Sequence, residues 1–145
     1  MSISLSLNKT DNLFNIFDEI IKQRMYIPNA NKGHEKLGCI VFTNHKRSCF
    51  LYPTGHNQYS VGKFNGTFYE SIHAEIDAMN KLKYNYSKKT KKINLFVFRV
   101  NNYGETKYAK CCDNCKTNIY KIAQIKGYNI KHIYYTTNYN NIDIL

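Results

Sequence analysis

Residues 92–100, KINLFVFRV, form a nearly continuous apolar run. A strand with apolar side chains on both of its sides is typical of the centre of a sheet whose two faces are covered. We therefore predict that this segment is the central strand of an α/β domain, and that the elements before and after it pack around it.

Upstream of this strand the apolar residues change from a helical to a strand pattern. Residues 11–25 place their apolar side chains on one helical stripe, so a helix within the N-terminal segment 1–30 is expected to pack on the core. Residues 36–53 alternate on either side of a short polar turn, as the two strands of a β-hairpin do.

Two further helices are predicted, one before the central strand along the chain and one after it. A loop that contains Gly55, Gly62 and Gly66 leads into a helix from about residue 71 to residue 84, with Ser71 as its N-cap. Beyond the central strand a second helix is predicted from about residue 112 to residue 126, and Gly127 stands where a glycine commonly closes a helix.

The C-terminal part completes the predicted sheet. Residues 129–135 read as a strand, and residues 140–145 as a final antiparallel strand. The predicted fold class is therefore α/β, a three-layer α-β-α arrangement in which one mixed sheet of about five strands carries helices on both faces. At 145 residues without a linker or repeat, the chain is expected to form a single domain over residues 1–145.

The composition favours a protein of a reducing compartment. No apolar run approaches the roughly 18 residues of a membrane span, and the N-terminus lacks the pattern of a signal peptide. The cysteines are odd in number, and three of the five fall within five residues, which is not typical of a secreted disulfide framework: Cys39, Cys49, Cys111, Cys112 and Cys115. We expect a cytoplasmic or other reducing intracellular location, no membrane contact, and metal binding by the clustered thiols.

A metal site is predicted where two helices begin. Cys112 and Cys115 are three residues apart at a helix start, so both sulfurs project from one face, and the positive end of the helix dipole favours the thiolates that zinc requires. His73 falls in the first turn of the other helix. These three ligands leave one position of a tetrahedral Zn²⁺ for water, as in catalytic zinc sites, and Glu75 then stands where a proton-transferring group is needed.

Each half of this pattern also has a simpler interpretation. A His-x-Glu triplet arises by chance in charged helices, and a Cys-x-x-Cys pair is also typical of redox sites and of structural zinc sites with four ligands. A structural site would need a fourth ligand, for which Cys111, His45 and His56 are the available residues. The combination of both halves, each at a predicted helix start, favours the catalytic zinc.

His73-Ala74-Glu75 followed by Cys112-Asp113-Asn114-Cys115 resembles the signature of the zinc-dependent cytidine and deoxycytidylate deaminase superfamily. The predicted order of elements from residue 36 onward fits the same family. The resemblance implies one Zn²⁺ per chain and hydrolytic deamination, in which Glu75 moves protons between the attacking water, the ring nitrogen and the departing ammonia. It also implies that the Ala74 backbone and Asn57, in the sequence TGHN (54–57), contact the substrate.

Two departures from the family pattern are visible. The proline that precedes the first cysteine of the family is Cys111 here, so the turn lacks a fixed φ. The link between the central strand and the cysteines, residues 99–110, is longer than usual and is expected to rim the substrate cavity. Neither departure removes a ligand or the proton-transferring Glu75.

The choice of substrate follows less directly from the sequence. The net charge of +11 suggests nucleic acid, but 18 of the 21 basic residues are Lys, and an AT-rich base composition of the gene would supply most of that excess. We therefore predict an enzyme acting on a small pyrimidine nucleoside or nucleotide: cytidine, deoxycytidine or dCMP. The alternatives are a deaminase of single-stranded DNA or RNA and a non-enzymatic zinc module.

The polynucleotide alternative rests on aromatic side chains that could stack bases: Tyr59, Phe64, Phe68, Tyr69 and Tyr103. Ordinary packing of a tyrosine-rich chain is the simpler interpretation of the same residues. The resemblance also makes a homo-oligomer plausible, because compact cytidine deaminases commonly complete their sites across subunits.

Overall fold

A computed structural model describes residues 3–6, 17, 36–45, 48–56, 58–64, 67–101, 105–138 and 141–145. Their elements in chain order are β1 (Ile3–Ser6), β2 (Lys36–His45), β3 (Ser48–His56), β4 (Gln58–Phe64), β5 (Thr67–Ile72), α1 (Ala74–Lys81), β6 (Lys91–Val100), β7 (Thr106–Lys107), α2 (Asp113–Lys126), β8 (Tyr128–Thr137) and β9 (Asn141–Ile144).

Strand β6 lies at the centre of one open mixed sheet, as its apolar sequence predicted. It pairs antiparallel with β2 on one side and parallel with β8 on the other, and the strands run in the order β1-β3-β2-β6-β8-β9, with the short β7 also paired to β6. All six residues from Ile93 to Phe98 are buried. The α/β class and the mixed sheet are confirmed, and β1 and β7 add strands that the sequence analysis did not predict.

The two sides of the sheet carry different cores. Both described helices pack on one side, and the residues of that core include Cys39, Val41, Ala78, Met79, Leu95, Val97, Ile119, Ala123 and Ile133. On the other side the rings of Phe42, Phe96 and Tyr134 surround Phe17, whose ring centroid lies 4.1 Å from that of Phe96. Phe17 is helical and buried, while the rest of the helix predicted at 11–25 lies outside the described residues.

The segment before α1 differs from its prediction. Within the region predicted as a glycine-containing loop, Gly55 lies in β3, where it pairs with Cys39. Strands β4 and β5 follow it and form a two-stranded antiparallel sheet, whose register shifts between Tyr59 and Gly62. A glycine inside a strand commonly marks such a shift rather than a loop. Because β5 continues to Ile72, α1 begins at Ala74 with His73 as its N-cap, and the prediction of Ser71 as the cap is wrong.

Helix α2 follows its prediction closely. It spans Asp113–Lys126, with Cys112 as its N-cap, and Gly127 closes it with a φ of +88°. A side chain at Gly127 would be strained by this φ and would also meet the backbone oxygen of Asn85 at 2.8 Å. The C-terminus of α2 is thereby fixed against the segment that follows α1.

Lys126 joins the C-terminal ends of the two helices. Its side chain is 8% exposed, and its ammonium donates hydrogen bonds to the carbonyl oxygens of Met79, Asn80 and Leu82 at 2.8, 2.8 and 2.6 Å. Carbonyls in the last turn of a helix have no partner within the helix, and a cation there is also favoured by the helix dipole. Lys126 therefore supplies the C-terminal hydrogen bonds of α1 from a different helix.

Replacement of Lys126 by methionine is expected to lower the free energy of unfolding by about 3 kcal/mol, because it leaves carbonyls of α1 without their charged donor. Lys121→Met is the matched control, since Lys121 is exposed on the same helix and its loss should change stability by less than about 0.5 kcal/mol. Urea denaturation of both variants measures the difference. Equal stabilities would contradict the role assigned to Lys126.

Candidate metal centre

Three metal-ligating side chains meet where the two helices begin. His73 is the N-cap of α1 and Cys112 the N-cap of α2, while Cys115 lies in the first turn of α2. One ligand atom from each of them lies within 4.8 Å of the others, and the distance from His73 Nδ1 to Cys115 Sγ is 3.0 Å. The structure thus brings together the three ligands predicted from the sequence.

The local chain path explains why the two cysteines converge. The Cys115 backbone N–H donates to Cys112 Sγ at 3.4 Å. This hydrogen bond folds the N-cap side chain over the first turn of α2 and brings its sulfur close to the sulfur of Cys115. Because α1 and α2 pack on the same side of the sheet with their N-termini together, His73 reaches the same point from the other helix. The site depends on both helix starts.

The donor set fits a borderline or soft metal ion such as zinc. Tetrahedral Zn²⁺, with Zn–S bonds of about 2.3 Å and Zn–N bonds of about 2.0 Å, separates its ligands by roughly 3.6 to 3.8 Å. Ligand atoms that all lie within 4.8 Å of one another can reach these separations by small side-chain rotations. One imidazole and two sulfurs therefore form a group that could hold a metal ion through three protein ligands.

Of the residues predicted as a possible fourth ligand of a structural zinc site, the structure describes the side chain of Cys111 alone. Cys111 is buried next to the site but does not belong to the group of mutually close ligand atoms found among the described residues. Burial, the charge of Glu75 and the neighbouring Cys112 raise the pKa of the Cys111 thiol to about 11. The side chains of His45 and His56 lie outside the described part of the structure.

Glu75 lies beside the ligands and is almost completely buried. It is the second residue of α1, 4% exposed, and it lines one cavity together with His73 and Cys112. Burial raises the pKa of its carboxyl above the ordinary value, and this effect outweighs a backbone hydrogen bond and the charges of His73 and Arg99, which lower it. A carboxyl group whose pKa is raised in this way exchanges protons more readily near neutral pH.

The cavity itself has a volume of about 230 Å³, and part of its wall was not predicted. Its lining residues are Leu37, His73, Glu75, Arg99, Tyr108, Ala109, Lys110, Cys111 and Cys112. Of the link predicted to rim the cavity, residues 99–110, Arg99 and residues 108–110 lie in this wall, so the prediction is confirmed for the two ends of the link. Arg99 was missed, although a charged residue near the end of an otherwise apolar buried strand was a signal that could have found it.

The two predicted substrate contacts remain predictions. Asn57 lies outside the described residues. Ala74 is completely buried between His73 and Glu75 at the start of α1. A Cβ atom at Gly55 of β3 would collide with the carbonyl oxygen of Ala74 and would lie 2.9 Å from the Cα of Ala78. The backbone that connects the metal ligand to Glu75 therefore rests directly on β3.

The pKa of the Cys115 thiol is shifted in the direction opposite to the one expected, since a helix start was expected to favour the thiolate. Burial raises the pKa of this thiol well above its ordinary value, and the charge of Glu75 and the contact with Cys112 act in the same direction. All of these effects favour the protonated thiol in the metal-free protein. Metal binding must therefore displace a proton from Cys115.

The apparent affinity for zinc is accordingly expected to rise with pH, by about tenfold per pH unit for each thiol proton displaced, between pH 6 and pH 8. The sign follows from the raised pKa of Cys115, because the thiol is protonated throughout this range when no metal is bound. Titration calorimetry in buffers of different ionisation enthalpy measures the protons released. An affinity independent of pH would contradict coordination by this sulfur.

Comparisons with protein-family models and with curated proteins found no match to this chain. Among the described residues no helix is long and apolar enough to cross a membrane. The case for a particular activity therefore rests on the residues of the site and on their geometry.

Proposed function

We propose that this protein is a zinc-dependent hydrolytic deaminase that acts on the exocyclic amine of cytosine in a nucleoside or nucleotide, such as cytidine, deoxycytidine or dCMP, and releases ammonia and a uracil product. One observation carries the proposal. His73 and Cys112, which with Cys115 form a group that could hold a metal ion, line a cavity that the buried Glu75 also lines. Three ligands and an adjacent proton-transferring group are the components that metal-assisted hydrolysis requires.

The residues of the site have separate roles in this proposal. His73, Cys112 and Cys115 would hold one zinc ion per chain, which when bound supplies a Lewis acid that lowers the pKa of water. Glu75 accepts a proton from the attacking water and delivers protons to the ring nitrogen and to the departing amine. Water and a cytosine are thereby converted to a uracil and ammonia, with no other reactant.

The cavity supports a substrate that enters by its base. Its volume of about 230 Å³ is below the roughly 300 to 1,000 Å³ of sites that enclose a whole small molecule. A pyrimidine ring therefore suits the interior, while sugar and phosphate groups remain near the opening. Arg99 and Lys110, both in the cavity wall, provide positive charge for carbonyl or phosphate oxygens. Ala74 and Asn57 remain the substrate-binding residues that the family resemblance suggests.

The fold supports the same proposal at a coarser level. One mixed sheet, with ligand-bearing helices that begin on the same side of it, agrees with the three-layer arrangement of a cytidine-deaminase-like domain. The described cysteines are free, in keeping with the proposed reducing compartment: Cys39, Cys111, Cys112 and Cys115. A single domain over 1–145 and a homo-oligomeric assembly complete the proposal.

A cytosine or adenine within single-stranded DNA or RNA is the second candidate substrate. It is favoured by the rim of the cavity, where Tyr108 is 52% exposed and Lys110 is also exposed. An exposed aromatic ring next to a cation can stack a neighbouring base and neutralise its phosphate. The side chains on which the sequence analysis based this alternative, including Tyr59 and Phe68, lie outside the described part of the structure.

The proposal is tested by ammonia release from zinc-loaded protein. The substrates are cytidine, deoxycytidine, dCMP, adenosine, and cytosine-bearing single-stranded DNA and RNA, and the control is Cys112→Ser, which removes one ligand. Release from a small pyrimidine, absent in the control, is the expected result. Release from the polymers alone would favour the second candidate, and no release by a protein shown to contain zinc would overturn both.

A further inference from the structure

Two tyrosine rings project from the segment that follows α1. Tyr84 is 50% exposed and Tyr86 is 90% exposed, and their ring centroids lie 6.1 Å apart with the ring planes inclined by 20°. We call these two residues the tyrosine platform. Large aromatic surfaces that remain in water in a folded protein commonly mark a contact site, because their burial against a partner is favourable.

The segment that carries the platform is held in place by residues 126–128, where α2 ends and β8 begins. Asn85, between the two tyrosines, donates its backbone N–H to the Lys126 carbonyl at 2.7 Å and its side-chain amide to the Gly127 carbonyl at 2.9 Å. The Tyr128 hydroxyl also donates to the Lys83 carbonyl at 2.8 Å, just before Tyr84. The platform is therefore pre-organised, so that a ligand would not have to bear the entropic cost of ordering it.

The surroundings of the platform are strongly basic. Exposed lysines precede and follow it in the chain: Lys83, Lys88, Lys89, Lys91 and Lys92. No acidic residue occurs between Asp77 and Glu105 in the sequence. The ammonium of Lys126 also lies 5.5 Å from the centroid of the Tyr84 ring. Positive charge is thus concentrated around two exposed, nearly parallel rings.

This surface is separate from the candidate metal centre. Helix α2 begins beside the ligands and ends at the residues that hold Asn85, and its 14 residues span about 20 Å. Helix α1 likewise begins at Ala74, directly after His73, and ends at Lys81, three residues before Tyr84. A ligand on the platform therefore does not enter the cavity, and its binding does not depend on catalysis.

We propose that the tyrosine platform and its lysines bind single-stranded nucleic acid. An unpaired base would stack on the exposed ring of Tyr86, while the lysines neutralise neighbouring phosphates. Such a ligand accounts for both the exposed tyrosine rings and the surrounding lysines. Its bases offer planar faces that stack on the rings, and its phosphates attract the ammonium groups. A duplex hides its base faces, and an acidic peptide offers charge without regularly spaced planar groups. The inference is independent of the proposed deaminase activity.

The test is the binding of the full-length, zinc-loaded protein to fluorescently labelled oligo(dT) and oligo(U) of 20 nucleotides, measured by anisotropy at 50 mM salt. Tyr86→Ala should weaken binding roughly tenfold, and Tyr86→Phe, which keeps the ring, should restore it. Changing Lys88 and Lys89 together to alanine should reduce the slope of log affinity against log salt by about 1.4. Tyr120→Ala is the matched control, because Tyr120 is exposed on α2 outside the platform.

Binding of either oligonucleotide with this dependence on Tyr86 supports the proposal, whether or not the protein shows deaminase activity. No binding at 50 mM salt would overturn it. So would equal binding by Tyr86→Ala and wild type, or tighter binding to a duplex of the same length. Binding to phosphatidylserine vesicles without binding to oligonucleotides would assign the surface to membranes and would also overturn it.

Discussion

Replacement of Glu75 by glutamine is expected to lower kcat for deamination by about 10³-fold or more while the zinc content of the protein stays unchanged. The carboxyl group is the proton-transferring group of the proposed reaction, and the loss of general acid–base catalysis costs about 10² to 10⁴-fold. Glutamine has nearly the same shape, so the start of α1 should keep its structure. The ligand atoms of His73, Cys112 and Cys115 do not include Glu75, so metal binding should persist.

Three measurements on the same preparation check this prediction: the rate of ammonia release, metal content by mass spectrometry, and the melting temperature. Glu105→Gln is the matched control, because Glu105 is exposed and outside the cavity, and it should retain wild-type activity. A Glu75→Gln protein that keeps both zinc and activity would remove Glu75 from the mechanism. If the Glu75→Gln protein loses its zinc, the carboxyl group contributes to metal binding, and its role is not confined to proton transfer.

Introduction of a methyl group at Gly55 is expected to damage both the fold and the metal centre. The Cβ of an alanine there would collide with the Ala74 carbonyl oxygen and the Ala78 backbone nitrogen. Because these are backbone atoms, they cannot move aside by a side-chain rotation, and α1 as a whole must shift. Overpacking of a core costs about 1 to 3 kcal/mol, and we expect Gly55→Ala at or above the upper end, with a fall in melting temperature of about 10 °C.

The matched control for Gly55→Ala is Gly38→Ala in the neighbouring strand β2. A Cβ at Gly38 would meet the ring of Phe98, with the ring's Cε2 atom at 2.8 Å, and this ring belongs to the side of the sheet opposite α1. We expect Gly38→Ala to lower stability without changing zinc affinity, whereas Gly55→Ala should reduce both. Equal zinc affinities in the two variants would contradict the view that β3 positions the ligand-bearing start of α1.

Local patterns predicted the parts of the structure that depend on short stretches of sequence. The apolar run at 92–100 predicted the buried β6, and Gly127 predicted the end of α2. Cys112 and Cys115 could be placed together because their spacing alone puts both at one helix start. His73 could be added because two helices on one side of a sheet, starting at the same edge, bring their first turns together.

Contacts between distant segments could not be predicted in the same way. Nothing near Lys126 in the sequence indicates that its ammonium binds carbonyls more than 40 residues earlier. Ser71 was mistaken for a helix cap because a capping residue is equally acceptable in a strand, where β5 places it. Gly62 was assigned to a loop, although its register shift lies within β4. In each case a tertiary contact or a strand partner outweighed the local preference.

The hydrogen bonds of Lys126 have a consequence for the relative position of the two helices that carry the candidate metal ligands. They connect the C-terminal ends of α1 and α2, which are remote from His73 and Cys112. A single buried ammonium thus holds the two ligand-bearing helices together at the end opposite the candidate metal centre. The start of α1 is in addition packed directly against β3 at Gly55, so both ends of this helix have fixed neighbours. Binding of a metal ion would then require only small side-chain rotations of the ligands, in a site whose backbone is already assembled.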